Sequence, residues 1–169
     1  MNSRKLTIGL FLLYLLALTW IILFKLQFSV EGLNHLRNIN LIPFAGSAIH
    51  NGKIAISEII NNILAFIPYG IFVCMLMERK NFIIKVIPIF LTSLAFELLQ
   101  LVFAIGAADI TDLIGNTAGG MIGIGIFFVF SKIFKEKVFK VINIISFIAA
   151  ILLILFVGLL LVVSRLVYR

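Results

Sequence analysis

The sequence predicts an all-α membrane protein: a polytopic bundle of about five transmembrane helices, with the N-terminus cytoplasmic and the C-terminus extracytoplasmic. Three observations lead there. Of the 169 residues, 63% are hydrophobic and 12% charged, whereas a soluble domain has about 45–50% apolar and about 25% charged residues, so too few polar side chains exist to coat a water-soluble globule. The apolar residues are gathered into runs close to the roughly 20 that cross about 30 Å of hydrocarbon. No stretch alternates with period two as the strands of an outer-membrane barrel would.

The first run, about Leu6 to Phe24, follows Arg4 and Lys5 as a signal sequence would. Its apolar stretch is longer than an ordinary signal core and meets Lys25 without a small-residue cleavage site, so it reads as a retained first helix. Four more runs follow at about Ile59 to Met77, Val86 to Gly106, Leu113 to Phe130 and Val141 to Val163, all within a single membrane domain over residues 1–169. The first and fifth runs are almost wholly apolar and read as lipid-facing packing partners. The longest connection, about Lys25 to Glu58, carries Asn34, His35, Arg37, Asn40, Pro43, His50 and Asn51 among Leu41, Ile42 and Phe44. A solvated tether would be more polar, so this segment is expected to lie on or dip into the outer interface.

The formal charge of +7 comes from 14 Lys and Arg against 7 Asp and Glu. The basic residues sit beside apolar runs, which fits positive-inside anchoring and contact with anionic headgroups and excludes a nucleic-acid partner. A cytoplasmic N-terminus places Arg4, Lys5, Arg79, Lys80, Lys85, Lys132, Lys135, Lys137 and Lys140 inside, nine against the five outside: Lys25, Arg37, Lys53, Arg165 and Arg169. Cys74 is the only cysteine, which rules out an intramolecular disulfide and leaves it as a small hydrophobe inside a span.

Polar residues within the apolar helices are informative because a central charge is disfavoured by roughly 2.5–3.5 kcal/mol on insertion scales. They form stripes. In the second span Glu58, Asn61, Asn62, Ala65 and Tyr69 recur at helical spacing on one face; the third repeats this with Ser93, Glu97, Gln100 and Ala104; the fourth has Asp112, Gly115, Asn116, Gly119, Gly120 and Gly123. Under the inside/outside assignment all three stripes bring their polar ends to the extracytoplasmic half. A bundle with an outward-opening polar interior holding Asn61, Asn62, Glu97, Gln100, Asp109, Asp112 and Asn116 is the simplest arrangement. Gly115, Gly119 and Gly123 form a double small-x-x-x-small motif that lets helix backbones approach closely. Glu97 lies about ten residues from either end of its span, where a carboxylate marks a functional site by default. Asp109 and Asp112 stand at a helix entrance, where one of them is expected to cap. His35 and His50 show no metal-ligand spacing with the carboxylates, and no P-loop, Cys cluster or Ser-His-Asp order is present; neither a metal nor another cofactor is expected.

Taken together and in order, Asn40-Leu-Ile-Pro-Phe44, Asn61-Asn-Ile-Leu-Ala-Phe-Ile-Pro-Tyr-Gly70, Glu97-Leu-Leu-Gln100, Asp109-Ile-Thr-Asp112 and Asn116-Thr-Ala-Gly-Gly120 resemble the VanZ-like family, over a core of residues 40–123. Relatives of this pattern carry an Arg about three residues before the position of Asp109, where this chain has Gly106. The resemblance implies a multi-pass protein of the bacterial cell membrane, from a family named for glycopeptide resistance and associated with lowered susceptibility to teicoplanin-type lipoglycopeptides.

Three functions compete. The leading one is binding of a lipid-linked or amphipathic envelope molecule from the outer leaflet, because amides and carboxylates hydrogen-bond hydroxyl-rich or amine-bearing groups. The second is an intramembrane enzyme in which Glu97 acts as general acid or base on a lipid headgroup, with Asp109 or Asp112 as the second carboxylate. The third is a proton-coupled carrier with Glu97 as relay. A short chain without internal repeat disfavours it, although a homo-oligomer would supply the repeat.

Overall fold

A computed structural model of the chain describes residues 3–24, 37–44, 49–50, 53–54 and 56–167. Its five long helices are α1 (Ser3–Phe24), α2 (Ile56–Leu76), α3 (Phe82–Phe103), α4 (Ile110–Phe134) and α5 (Val138–Val167). Four stretches are long and apolar enough to cross a membrane: Arg4–Leu23, Ile56–Leu76, Phe82–Phe103 and Ile110–Val163. The last holds both α4 and α5. As one straight helix its 54 residues would reach about 80 Å. Instead the chain breaks at Lys135, whose φ is 46°, and folds back so that the Phe127 and Phe139 rings meet at 6.1 Å.

The helices run past the apolar cores that announced them because local caps decide where they end. Asn81 caps α3, its side chain accepting the Ile84 N–H at 2.9 Å, and Ala104 closes the same helix in the left-handed conformation. Asp109 caps α4 by accepting the Thr111 N–H at 2.8 Å, which makes it the capping member of the Asp109/Asp112 pair. Lys85, counted among the inner loop charges, is buried in the first turn of α3. Its ammonium reaches the Glu78 carbonyl at 3.5 Å and lies over the Phe128 ring, so its charge is matched by protein groups and not by water.

All-α is not the whole description. Arg37–Asn40 (β1) pairs in parallel with Gly106–Asp109 (β4), placing Arg37 opposite Gly106 and Asn40 opposite Asp109. Ile49–His50 (β2) and Lys53–Ile54 (β3) form a short antiparallel pair. Non-helical backbone next to hydrocarbon must be hydrogen-bonded within the protein, and the β1–β4 ladder does this for the turn before α4. Leu41, Ile42 and Phe44 follow β1 and are exposed. Of the connection expected to lie at the outer interface, Lys25, Asn34, His35 and Asn51 lie outside the described residues.

The core of the bundle is the α2–α4 pair. Along it, a Cβ added at Gly119 would overlap the Ile63 carbonyl, one at Gly123 the Ile67 carbonyl and one at Gly70 the Gly120 carbonyl. Backbone packs on backbone there. Gly115 has ordinary clearance, 3.8 Å from Asn62, and Gly125 faces open space. The first helix is more than a lipid-facing partner: Thr7, Leu10, Leu18, Ile22 and Leu23 are buried. The Thr7 hydroxyl donates to Asn143 Oδ1 at 3.0 Å, joining the second turns of α1 and α5, and the Tyr14 hydroxyl donates to the Ala65 carbonyl at 2.6 Å. The fifth helix buries Val138, Ile142 and Asn143 and leaves most of its outer turns exposed.

These contacts predict that Gly119→Leu and Gly123→Leu each lower stability by about 1–3 kcal/mol or more, the usual cost of overpacking, whereas Gly125→Leu is neutral. Thermal unfolding in detergent measures this, and equal tolerance at all three positions would contradict the backbone contact.

Candidate functional site

At one end of the bundle the last turn of α1, the first turns of α2 and α4 and the last turn of α3 enclose a cavity of about 210 Å³. It is lined by Asn61, Asn62, Glu97, Gln100, Asp112 and Asn116, together with Glu58, Ile21 and Ile22. Six of the seven residues expected from the sequence thus meet in one space. The seventh, Asp109, lies just behind it. Glu58 belongs to the same stripe as Asn61 and Asn62, so the helical period already pointed to it. Ile21 and Ile22 carry no polar signal; the first helix supplies an apolar wall that sequence reasoning had turned towards lipid.

The geometry around Glu97 explains why these helices stop together. Its Oε2 accepts the backbone N–H of Asp109 at 2.8 Å, tying α3 to the residue that caps α4. Asp109 Oδ1 in turn accepts the Thr111 N–H at 2.8 Å and the Asn40 Nδ2–H at 3.2 Å, and Thr111 Oγ1 accepts the Phe44 N–H at 3.0 Å. Asn40 Oδ1 holds the local turn by accepting the Ile42 N–H. The segment Asn40–Phe44 is therefore fastened to Asp109–Thr111 at both ends.

Two of the cavity amides each commit one of their two N–H donors to protein. Gln100 Nε2–H donates to the Ile22 carbonyl at 3.0 Å, and Asn116 Nδ2–H donates to Ser93 Oγ at 2.9 Å. Gln100 thereby satisfies a carbonyl in the last turn of α1, one of the groups a helix end leaves unbonded. Asn116 is fully buried, and its Oδ1 has no hydrogen-bond partner among the described residues. A buried acceptor left in that state costs about 1–3 kcal/mol, which a donor on a bound molecule would recover. Among the described residues no Lys, Arg or His lines the cavity and three carboxylates do, so its described lining is rich in acceptors and suits ammonium or hydroxyl groups. Among the described residues no group of three or more His, Cys, Asp and Glu is placed to hold a metal ion. Glu58, Glu97 and Asp112 are the carboxylates of the described lining; Asp109 is occupied as cap and strap.

A family model described as VanZ/LLP1 matches residues 11–135 of the chain. The chain is 37% identical to Protein VanZ from Enterococcus faecium over 169 residues, covering 99% of this chain and 94% of that protein. No solved structure matches.

The hydrogen bond at Glu97 predicts a split between two substitutions. Glu97→Leu removes the acceptor for a buried N–H and lowers stability by about 1–3 kcal/mol, whereas Glu97→Gln keeps an acceptor oxygen and most of that stability. Melting temperatures in detergent measure the difference; equal losses would show that the carboxylate charge, not the acceptor, holds the turn.

Proposed function

The chain belongs to the VanZ/LLP1 family, and from that premise we propose that it is a multi-pass protein of the bacterial cell membrane whose polar chamber binds a lipid-linked or amphipathic envelope molecule. Binding there lowers susceptibility to teicoplanin-type lipoglycopeptides. The observation that carries this reading is the shared lining: polar residues from three different helices, each costly in hydrocarbon, meet at one cavity. Separate structural roles would not require them to share a depth. The chamber opens to the outer leaflet, with five spans and the N-terminus inside. Supporting this, the exposed Arg79, Lys80, Lys135 and Lys137 lie at the opposite end of the bundle, on the side that positive-inside anchoring makes cytoplasmic.

The acceptor-rich lining favours a ligand that donates hydrogen bonds, through an amine or several hydroxyls. An acid/base reading draws on Glu97 and Asp112, which both face the cavity. In that reading Glu97 acts as general acid or base on a lipid headgroup, with Asp112 as the second carboxylate.

Glu97→Gln separates these roles from simple helix bonding. The variant is expected to express and fold as the parent does, yet to lose the protection against lipoglycopeptides that the parent confers on a susceptible host, measured as inhibitory concentration. Asn62→Ala and Asn116→Ala should lose it too. Full protection with Glu97→Gln alongside loss in Asn116→Ala would remove both the proton-transfer and the charged-carboxylate readings.

Orientation is checked by cysteine labelling in a Cys74→Ala background. Ala108→Cys should react with an impermeant thiol reagent from outside and Lys137→Cys should not; the reverse pattern would place the chamber on the cytoplasmic side.

A further inference from the structure

A second cavity, of about 260 Å³, lies between α1, α2, α4 and α5, and its lining is almost wholly apolar. From α1 it takes Leu10, Leu13, Tyr14 and Ala17, and from α2 Pro68, Ile71 and Phe72. The spacing relates it to the polar chamber. On α1, Leu10, Tyr14, Ala17 and Ile21 recur at i, i+4, i+7 and i+11, one continuous face whose last member belongs to the polar chamber. On α2, Asn61, Ala65, Pro68 and Phe72 recur in the same way, beginning in the polar chamber and ending in the apolar cavity. The two spaces are stacked along the same faces of the same two helices. Ala17 and Ile21 are about 6 Å apart along the axis, and Asn62 and Pro68 about 9 Å.

The layer between them is the Tyr14 hydroxyl bonded to the Ala65 carbonyl at 2.6 Å. On the polar side stand amides and carboxylates. On the other side the polar side chains among the described lining residues are Tyr14, whose hydroxyl is already committed, and Ser146. The α5 wall from Ile142 to Leu153 is about 16 Å long, roughly half of the ~30 Å hydrocarbon thickness. That is the reach of one chain within one leaflet. An apolar void of about 150 Å³ already binds benzene, and this one is larger.

Resting on the chamber reading above, we propose that the apolar cavity is the tail site of the same ligand: it receives a hydrocarbon chain, acyl or isoprenoid, of the molecule whose polar head is held by Asn62, Glu97 and Asn116. The ligand is thus a membrane-anchored lipid with a hydrogen-bond-donating head. Its head lies at the Asn116 level and its chain descends past Tyr14 between α1 and α5. A water-soluble glycan or peptide would leave the lower space unused.

The test uses the full-length protein in vesicles of phosphatidylglycerol doped with a lipid bearing a diazirine within one acyl chain. One arm uses a phosphatidylethanolamine probe and the other a diglucosyl-diacylglycerol probe, which distinguishes an amine head from a sugar head. With at least one probe, adducts should concentrate on the peptides containing Leu13–Ala17 and Ala149–Leu153. They should fall about tenfold both in Ala17→Phe, which fills the cavity, and in Asn116→Leu, which blocks the head. Ala149→Phe serves where Ala17→Phe fails to fold. Adducts spread evenly over outward faces such as Leu91, Leu98 and Phe156 with both probes would overturn the proposal. So would cavity adducts that survive Asn116→Leu unchanged, because the bound chain would then belong to a different lipid. In parallel, full lipoglycopeptide protection by a folded Ala17→Phe variant would overturn the tail site while leaving the chamber reading intact, which fails only through the chamber variants.

Discussion

A carboxylate on one helix receives the backbone N–H that opens another, and the arrangement of this end of the protein follows from it. Glu97 Oε2 and the Asp109 N–H meet at 2.8 Å in a buried setting. Within or beside hydrocarbon a backbone donor without a partner costs several kcal/mol, so the turn between α3 and α4 has few alternatives. Once Asp109 is fixed, its own carboxylate is free to cap α4 and to hold Asn40, and Thr111 is placed to hold Phe44. Asn40, at the end of β1 and 69 residues earlier in the chain than Asp109, is thereby tied to the start of α4.

The opposite wall depends on a different force. The α2–α4 pair is held by packing without side chains between the backbones at Gly119, Gly123 and Gly70, the interaction that serves where lipid is as apolar as the helices themselves. Because Gly119 and Gly123 lie one and two turns below Asn116 on α4, the close approach sets how far apart Asn62 and Asn116 stand. Acceptors are abundant in the chamber because Glu58, Glu97 and Asp112 line it, while Gln100 and Asn116 each commit one of their two N–H donors, to the Ile22 carbonyl and to Ser93.

Much of this was legible in the sequence. The helical recurrence of Asn61, Asn62, Glu97, Gln100 and Asn116 is unambiguous because a polar residue in an apolar helix stands out against its background, and the period alone places it on a face. Gly119 and Gly123 were readable for the same reason. The strand pairing was not. Arg37–Asn40 and Gly106–Asp109 are four residues each, too short for a period, and pairing between distant segments leaves no local trace. Asp109 was placed in the chamber, but its short side chain is spent on the cap, a distinction that depends on where α4 starts. The part played by α1 was missed because Ile21 and Ile22 look like any lipid-facing pair; Thr7, Tyr14 and Asn143 were the available signals that the first and fifth helices bond inward.

The central claim is that the chamber exists to hold the head of a membrane-anchored molecule. The most direct measurement is an experimental density map of the protein extracted with its native lipids into nanodiscs. The account predicts density inside the chamber within hydrogen-bonding distance of Glu97 and Asn116, continuing past Tyr14 as a chain. A well-ordered map in which the chamber is empty and Asn116 Oδ1 is satisfied by protein groups alone, with lipid density confined to the outer faces of α3 and α5, would contradict it.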